Sequence, residues 1–203
     1  MLHDKTIKTV DAFRITKQDI MKKSKEETKM SWAIWITGLP GSGKSVIAEK
    51  VRIIFAERGI NVKVLELDEI RKFVTPKPSY SEEERDIVYA ALVYMAKLLV
   101  ESGNSVIIDA TANRRRYRER ARETIRNFAE VYVKCSLDTC MEREGIRRAE
   151  HAPSGIYKKS KKSGATVPGV NVPYEEPVNP EVVVDSEKMS VKECAEKVVE
   201  FIQ

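Results

Sequence analysis

An eight-residue stretch rich in glycine, GLPGSGKS, occupies residues 38–45 and ends in a lysine and a serine. Its glycines let the backbone turn tightly, so that successive N–H groups face a single anion. The stretch matches G-x-x-x-x-G-K-[ST] throughout, a pattern in which the lysine reaches the outer phosphates of a nucleotide and the hydroxyl binds Mg²⁺. We therefore predict that Ser45 binds Mg²⁺, that Lys44 takes part in catalysis, and that the whole loop binds ATP. The loop residues are Gly38, Leu39, Pro40, Gly41, Ser42, Gly43, Lys44 and Ser45.

Two aspartates follow apolar runs further along the chain. Asp68 comes after VKVLEL, and Asp109 ends SVIID. Open α/β sheets place their chemistry at the carboxyl ends of strands. We expect Asp68 to orient an acceptor hydroxyl or to bind Mg²⁺, with a helix-capping role as the competing interpretation. Asp109 resembles the Mg²⁺-linked acid of many phosphate-loop proteins.

Arginines provide the candidate anion ligands. Arg71 lies one helical turn after Asp68 and could bind a substrate anion. Arg143 is predicted to clamp the phosphates of ATP, and Arg147 and Arg148 compete for that role.

The arginine-rich run RRRYRER at 114–120 is interpreted mainly as a solvated helix face. Thr111, just before it, is placed on the substrate side.

Alternating apolar segments predict the scaffold that positions these residues. Strands are expected at 33–37, 62–67, 105–108, 131–134 and 182–184, and helices at 44–58, 81–101, 114–127, 137–149 and 190–202. This alternation predicts a three-layer α/β fold of the P-loop nucleoside triphosphate hydrolase and kinase type, with a parallel sheet covered on both faces. Val46, Ile47, Val51 and Ile54 are expected on the buried side of the first helix, and SEEE at 81–84 predicts a capping box.

The chain of 203 residues divides into a polar N-terminal extension, 1–29, and one kinase domain, 30–203. Prolines and glycines in 151–176 predict an irregular lid. No apolar run approaches the ~18 residues of a membrane span, so no membrane partner is expected. Three cysteines without metal-ligand spacing, and the lack of a signal-peptide core, favour a cytoplasmic protein.

Net charge is +5, which suits a small anionic substrate better than nucleic acid. Sites for single-stranded nucleic acid require aromatic residues interleaved with basic ones. Here aromatic residues make up only 7% of the chain and do not alternate with basic residues.

Several stretches together resemble the adenylylsulfate kinases: the GLPGSGKS loop, LDEIR at 67–71, SEEER at 81–85, CMER at 140–143, GIYKKS at 155–160 and VPYEEP at 172–177. The similarity covers about residues 31–203. It implies MgATP-dependent phosphorylation of the 3′-hydroxyl of adenylyl sulfate, with 3′-phosphoadenylyl sulfate and ADP as products. Family members are commonly dimers, so the resemblance also suggests a homodimer.

The resemblance implies a role for each matching position. Asp68 would handle the hydroxyl or the metal, and Arg71 and Arg85 would bind adenylyl sulfate. Lys158 would be a lid lysine beside the substrate, and Tyr80 stands where a stacking phenylalanine is common.

Departures from the family pattern concentrate on the acceptor side. Val88 replaces an asparagine, Ala112 a serine described as a phosphorylation position, and Val167 a phenylalanine that packs on adenine. Two alternatives therefore stay open: a P-loop kinase with another acceptor, such as a 5′-hydroxyl polynucleotide, and a nucleotide-binding regulatory subunit.

Overall fold

The computed structural model describes residues 31–146, 155–161 and 164–203. Its strands are β1 (Ala33–Thr37), β2 (Val62–Glu66), β3 (Ser105–Asp109), β4 (Phe128–Lys134) and β5 (Val182–Asp185). All pair in parallel in one sheet, in the order β2-β3-β1-β4-β5. The helices are α1 (Lys44–Glu57), α2 (Leu67–Val74), α3 (Glu82–Glu101), α4 (Arg115–Thr124), α5 (Leu137–Ile146), α6 (Ile156–Lys159) and α7 (Val191–Ile202).

The central strand β1 is buried on both faces and joins two apolar layers. Ile34 and Ile36 pack in a cluster with residues of α1 and α7. Ala33 and Trp35 point the other way, into a cluster with residues of α3 and α4. Helices on both faces explain why β1 reads as a continuous apolar run, and they confirm the predicted three-layer α/β fold.

Three local predictions are wrong. α2 was not expected as a separate element, although it carries Asp68 and Arg71. The helix expected at 114–127 ends at Thr124, because Asn127 adopts a left-handed backbone conformation with φ 56° and turns the chain into β4. Val46 is 59% exposed. The buried side of α1 is formed instead by Ile47, Val51 and Ile54, which lie about one helical turn apart.

The proline- and glycine-rich region contains α6 and little other regular structure. Between 164 and 180 the regular pairing in the described residues is a single bridge between Pro168 and Val172. Residues 1–30, 147–154 and 162–163 lie outside the described residues. These include Arg147, Arg148, the end of the helix expected at 137–149 and the first part of the expected lid, 151–154. Of the helices in the described part, none is long and apolar enough to cross a membrane.

Candidate active site

A pocket of about 440 Å³ lies where β1, β2 and β3 end, at the edge of the sheet where parallel α/β folds bind ligands. The glycine-rich loop, the start of α2, the start of α3 and residues 164–168 all line it. Most of the site residues expected from the sequence share this pocket. They are Pro40, Lys44, Ser45, Asp68, Arg71, Tyr80, Arg85 and Thr111.

The glycine-rich loop forms a tight anion cradle. Gly41 has φ 84°, and a Cβ on it would lie 2.4 Å from the carbonyl oxygen of Cys140, so no larger residue fits there. Lys44 is 8% exposed, and its Nζ donates to the carbonyl of Leu39 at 2.9 Å. Within the described residues, the Ser42 hydroxyl is buried without a hydrogen-bond partner. The tight glycine-rich loop, the Lys44 side chain and the N-terminus of α1 fit the phosphates of a nucleotide.

Oxygen ligands suited to Mg²⁺ line the same pocket. Glu66 and Asp109 end neighbouring strands in register, and Asp68 and Ser45 join them in the pocket lining. Hydroxyl and carboxylate oxygens are the ligands that Mg²⁺ prefers, usually together with substrate phosphates and water. The described residues contain no group of three or more His, Cys, Asp or Glu side chains that could hold a metal ion.

The capping interpretation of Asp68 is wrong. Helix α2 begins at Leu67, and its N-cap residue is Glu66, which makes no side-chain capping bond. Asp68 therefore lies inside the first turn of α2, in the pocket lining, and is not the N-cap residue.

Tyr80 lies between two arginines on the far side of the pocket. The guanidinium carbons of Arg71 and Arg85 lie 5.2 and 6.0 Å from the centre of its ring. Arg85 also donates from Nε to the carbonyl of Tyr80 at 3.1 Å. The backbone of Tyr80 is left-handed, φ 57°, a strained conformation that concentrates at ligand sites. Burial raises the pKa of Tyr80, so the phenol stays neutral.

Glu84 anchors this arrangement and was missed by the sequence analysis. Ser81 accepts a hydrogen bond from the Glu84 backbone at 3.2 Å, but Glu84 does not return the bond that a capping box requires. Its carboxylate instead accepts from Arg71 Nη1 at 2.9 Å and from the Ser79 hydroxyl at 2.6 Å. Burial alone would raise the pKa of Glu84, but the Ser79 hydrogen bonds and the Arg71 charge hold it below its usual value.

Two buried side chains, Tyr89 and Arg118, hydrogen-bond the backbone of the loop after β3. Ala112 is fully buried with φ 45°, and its N–H donates to the Tyr89 hydroxyl at 3.0 Å. Burial raises the pKa of Tyr89 to about 12. Arg118, 2% exposed, bonds the carbonyl of Ala112 and pairs with Glu130. The position where the family has a serine is therefore an interior position here.

The arginine-rich run is largely engaged by neighbouring carboxylates. Arg115 and Arg116 lie on an exposed helix face, as predicted, whereas Arg118 is buried. Its ion pairs are Arg114 with Glu82 and Glu175, Arg116 with Asp86, and Arg118 with Glu130. The Arg115 side chain donates to the carbonyl of Glu176 at 2.7 Å. Nothing in the spacing of the run distinguishes the buried Arg118 from its exposed neighbours.

VPYEEP ties the lid region to the sheet. The hydroxyls of Tyr174 and Thr37 lie 3.0 Å apart, directly before the glycine-rich loop. The carboxylate of Glu175 accepts from Arg114 at 3.0 Å and from the backbone of Arg115 at 2.8 Å. This segment therefore fixes the C-terminal end of the predicted lid.

The lid contacts both halves of the pocket. Thr166 accepts two hydrogen bonds from Arg85 Nη2, each 2.9 Å, at its carbonyl and at its hydroxyl. On the other half, Tyr157 donates to the carbonyl of Pro40 at 2.8 Å. Gly169 approaches so closely that a Cβ on it would lie 2.7 Å from Leu39.

Among the expected site residues outside the glycine-rich loop, Arg143 and Lys158 do not line the pocket. Arg143 donates to the hydroxyl and carbonyl of Ser186, at 3.0 and 2.9 Å. Lys158 is exposed on α6, whereas its neighbour Lys159 lines the pocket together with Val167.

Comparison with known proteins gives a consistent result. A family model described as adenylylsulphate kinase matches residues 30–185. The adenylyl-sulfate kinase of Bacillus velezensis is 36% identical over 194 residues, 93% of this chain and 92% of that protein. A probable adenylyl-sulfate kinase of Pyrococcus abyssi is 38% identical over 171 residues, 83% of this chain and 92% of that protein.

A solved structure extends the likeness to three dimensions. The Mycobacterium tuberculosis APS kinase CysC in complex with AMPPNP and APS aligns with a TM-score of 0.75 at 29% identity, over 85% of this chain and 97% of that one. By sequence, fold and pocket, the chain belongs to the adenylylsulphate kinase family.

Proposed function

We propose that the protein transfers the γ-phosphoryl group of ATP to the 3′-hydroxyl of adenylyl sulfate, giving 3′-phosphoadenylyl sulfate and ADP. One observation carries the proposal: an anion cradle of the P-loop type and an aromatic ring flanked by two arginines line one pocket. The cradle suits a triphosphate, and the ring with its arginines suits a nucleotide that ends in two anionic groups. The Mycobacterium relative was solved with an ATP analogue and APS bound, which supports this division.

In the ATP half, the loop N–H groups and Lys44 would hold the β- and γ-phosphates. Ser45 and Asp68 would hold Mg²⁺, which when bound neutralises charge on the phosphate oxygens. Arg143 remains a predicted ATP ligand. For it to act there, its guanidinium would have to bind the nucleotide from the Ser186 side, outside the pocket lining.

In the acceptor half, Tyr80 would stack on the adenine, and Arg71 and Arg85 would bind the phosphate and sulfate. Asp68 would accept or orient the proton of the 3′-hydroxyl. The bond from the 3′-oxygen to the γ-phosphorus forms as the bond from that phosphorus to the β,γ-bridging oxygen breaks, and ADP leaves. Thr111 lines the pocket between the two halves.

The lid would exclude water and limit wasteful ATP hydrolysis. Its lysine remains a prediction at Lys158, but Lys159 is the better placed of the two because it lines the pocket.

The alternatives are weaker on specific grounds. A polynucleotide acceptor needs an open basic channel, and the arginine-rich run is instead paired with carboxylates. Lys44, Asp68 and Thr111, all predicted site residues for phosphoryl transfer, line one pocket with the acceptor arginines, which favours an enzyme over a regulatory subunit. A homodimer and a cytoplasmic location stay predictions; one structure that shares the fold is described as a hexameric APS kinase.

A coupled assay of ADP release tests the proposal, with Mg²⁺ATP and either adenylyl sulfate or a 5′-hydroxyl oligonucleotide as acceptor. Of the two acceptors, we expect only adenylyl sulfate to support turnover. Lys44→Ala should abolish turnover, and Arg71→Ala should raise the KM for adenylyl sulfate. Arg52→Ala, which removes an exposed surface pair with Glu49, is the control and should behave as the wild type. Turnover with the oligonucleotide but not with adenylyl sulfate would show that the acceptor is wrong, and ATP binding without any turnover would favour a regulatory subunit.

A further inference from the structure

The two arginines of the acceptor half differ in the charge of their neighbours. Arg71 pairs with the carboxylate of Glu84 at 2.9 Å. Arg85 is 9% exposed, and every group in the described residues that accepts a hydrogen bond from it is neutral. These acceptors are the carbonyl of Tyr80, the side-chain oxygen of Asn113, and the carbonyl and hydroxyl of Thr166. A buried guanidinium held in this way keeps its full charge for an anionic ligand.

Asn113, in the loop after β3, joins this guanidinium to the C-terminal end of the predicted lid. The residue is 3% exposed, and its Oδ1 accepts from Arg85 Nη1 at 3.3 Å. Its Nδ2 donates to the carbonyl of Pro173 at 3.2 Å. Its backbone carbonyl accepts from the N–H of Glu175 at 2.8 Å. The side chain therefore acts as acceptor towards the arginine and as donor towards the lid, which an amide can do without carrying a charge.

We propose that Asn113 is a positioning residue for the transfer reaction, because it fixes Arg85 beside the acceptor without neutralising the arginine's charge. The proposal rests on the proposed function, in which Arg85 binds an anionic group of adenylyl sulfate. A carboxylate at this position would also hold Arg85, but it would match the charge that the acceptor has to meet and would repel the acceptor's own anions. It would lose the bond to Pro173 as well, since an ionised carboxylate has no donor.

Other charges close to Asn113 already have partners of opposite charge. The ion pairs nearby are Arg114 with Glu175 and Arg118 with Glu130. Arg85 is therefore the charge that a carboxylate at position 113 would match, and a change of charge there should act on the acceptor through Arg85.

Two substitutions of similar shape separate positioning from a structural role. Asn113→Leu removes both side-chain bonds without adding charge, whereas Asn113→Asp keeps the bond to Arg85 and adds a negative charge. Calorimetric titration of adenylyl sulfate into protein with Mg²⁺ADP should give a Kd raised about threefold by Asn113→Leu and about tenfold or more by Asn113→Asp. The Kd for Mg²⁺ADP should change less than about twofold in both. A residue that only stabilises the fold would give the opposite order, because leucine loses more bonds.

The stability of the ligand-free protein tests the same charge without any acceptor. If Arg85 is unmatched, it lowers the pKa of the carboxyl introduced by Asn113→Asp below the ordinary ~3.9. A pKa that is lower in the folded state stabilises the variant above that value, and the stabilisation is lost as pH falls. The melting temperature of Asn113→Asp relative to wild type should therefore drop between about pH 5 and pH 3. Burial beside an arginine that is already matched would raise the pKa, and the relative melting temperature would rise in acid.

Asn179→Leu and Asn179→Asp are the matched controls. Asn179 is exposed just before β5, so neither substitution should change the Kd for adenylyl sulfate or the pH dependence of melting. Binding that is weakened no more by Asn113→Asp than by Asn113→Leu, or a relative melting temperature that rises in acid, would each overturn the proposal. Failure of both Asn113 variants to fold would also overturn it, since the residue would then be structural. A wild type that neither binds nor phosphorylates adenylyl sulfate would instead refute the proposed function, and the melting curves would still show whether Arg85 is unmatched.

Discussion

At the scale of single residues, the acceptor half of the pocket depends on the carboxylate of Glu84, which contacts Arg71. Glu84 binds Arg71 at 2.9 Å and also holds Ser79, the residue before Tyr80. One side chain therefore sets both the direction of a guanidinium and the strained turn that presents the ring. Arg71 is buried, so loss of this carboxylate would leave its charge with less compensation from the protein.

We predict that Glu84→Gln raises the KM for adenylyl sulfate about tenfold, the equivalent of ~1.4 kcal/mol, because it weakens a charge-assisted hydrogen bond that orients Arg71. The KM for ATP should change less than about twofold, since Glu84 does not line the ATP half. Steady-state kinetics with each substrate varied in turn measure the split.

Glu83→Gln is the matched control for this prediction. Glu83 is the preceding residue on α3, but it is exposed and makes no bond to Arg71. Equal changes in both KM values for Glu84→Gln would mean that the substitution loosens the whole pocket rather than positioning Arg71.

At the scale of elements, the sequence predicted best what is local and periodic. β1, the helix after the glycine-rich loop and the alternation of strands and helices are confirmed, because each depends on short-range spacing or on burial of a continuous apolar run. The arginine-rich run at 114–120 was harder to interpret. Its five arginines look alike in sequence, and the sequence does not show that packing buries Arg118.

Glu84 shows why side-chain partners are harder to predict than elements. A serine followed three residues later by a glutamate predicted a capping box, and the helix does begin there. The carboxylate goes elsewhere because Arg71, brought near by α2, offers a charge that the Ser81 backbone cannot match. That contact joins residues thirteen apart and needs the folded chain.

The start of α5 is held by a glutamate from another part of the chain. Glu187, just after β5, accepts from the Thr139 hydroxyl at 2.6 Å and from the backbone and hydroxyl of Ser136, each at 2.8 Å. The Thr139 bond and then the Ser136 bonds lower the pKa of Glu187 to about 2. α5 also lies against the glycine-rich loop, since the carbonyl of Cys140 contacts Gly41.

We predict that Glu187 stabilises the fold at neutral pH and that this contribution is lost in acid. Because the pKa is lower in the folded than in the unfolded state, the stabilisation is complete above about pH 4.5 and disappears as pH falls towards 2. Melting temperatures from pH 7 to pH 3 should show wild type above Glu187→Gln, with the difference shrinking below about pH 4.5.

Glu200→Gln, an exposed position on α7, is the control and should show no such convergence. A difference between wild type and Glu187→Gln that stays constant down to pH 3 would contradict the role of the ionised carboxylate.

At the scale of the whole molecule, the pocket is assembled from segments far apart in the chain. Lys44, Arg71 and Lys159 line it together, although more than a hundred residues separate the first from the last. The segment predicted to form the lid contacts this arrangement at two points, since Thr166 binds Arg85 and Tyr157 binds Pro40. The acceptor arginine is thus itself a contact of the lid, and acceptor binding and lid position share one side chain.

We predict that Thr166→Val uncouples ATP use from acceptor phosphorylation. The valine keeps the shape of threonine but removes one of the two bonds from Arg85, so the lid should spend more time away from the pocket and admit water to the γ-phosphate. ADP release without acceptor should rise severalfold relative to the coupled rate, below the ~10-fold that one charge-assisted bond allows. Val170→Thr reverses the exchange at an exposed position of the same lid and should leave the ratio unchanged. If Thr166→Val lowers both rates in proportion, the lid contact serves stability and not the exclusion of water.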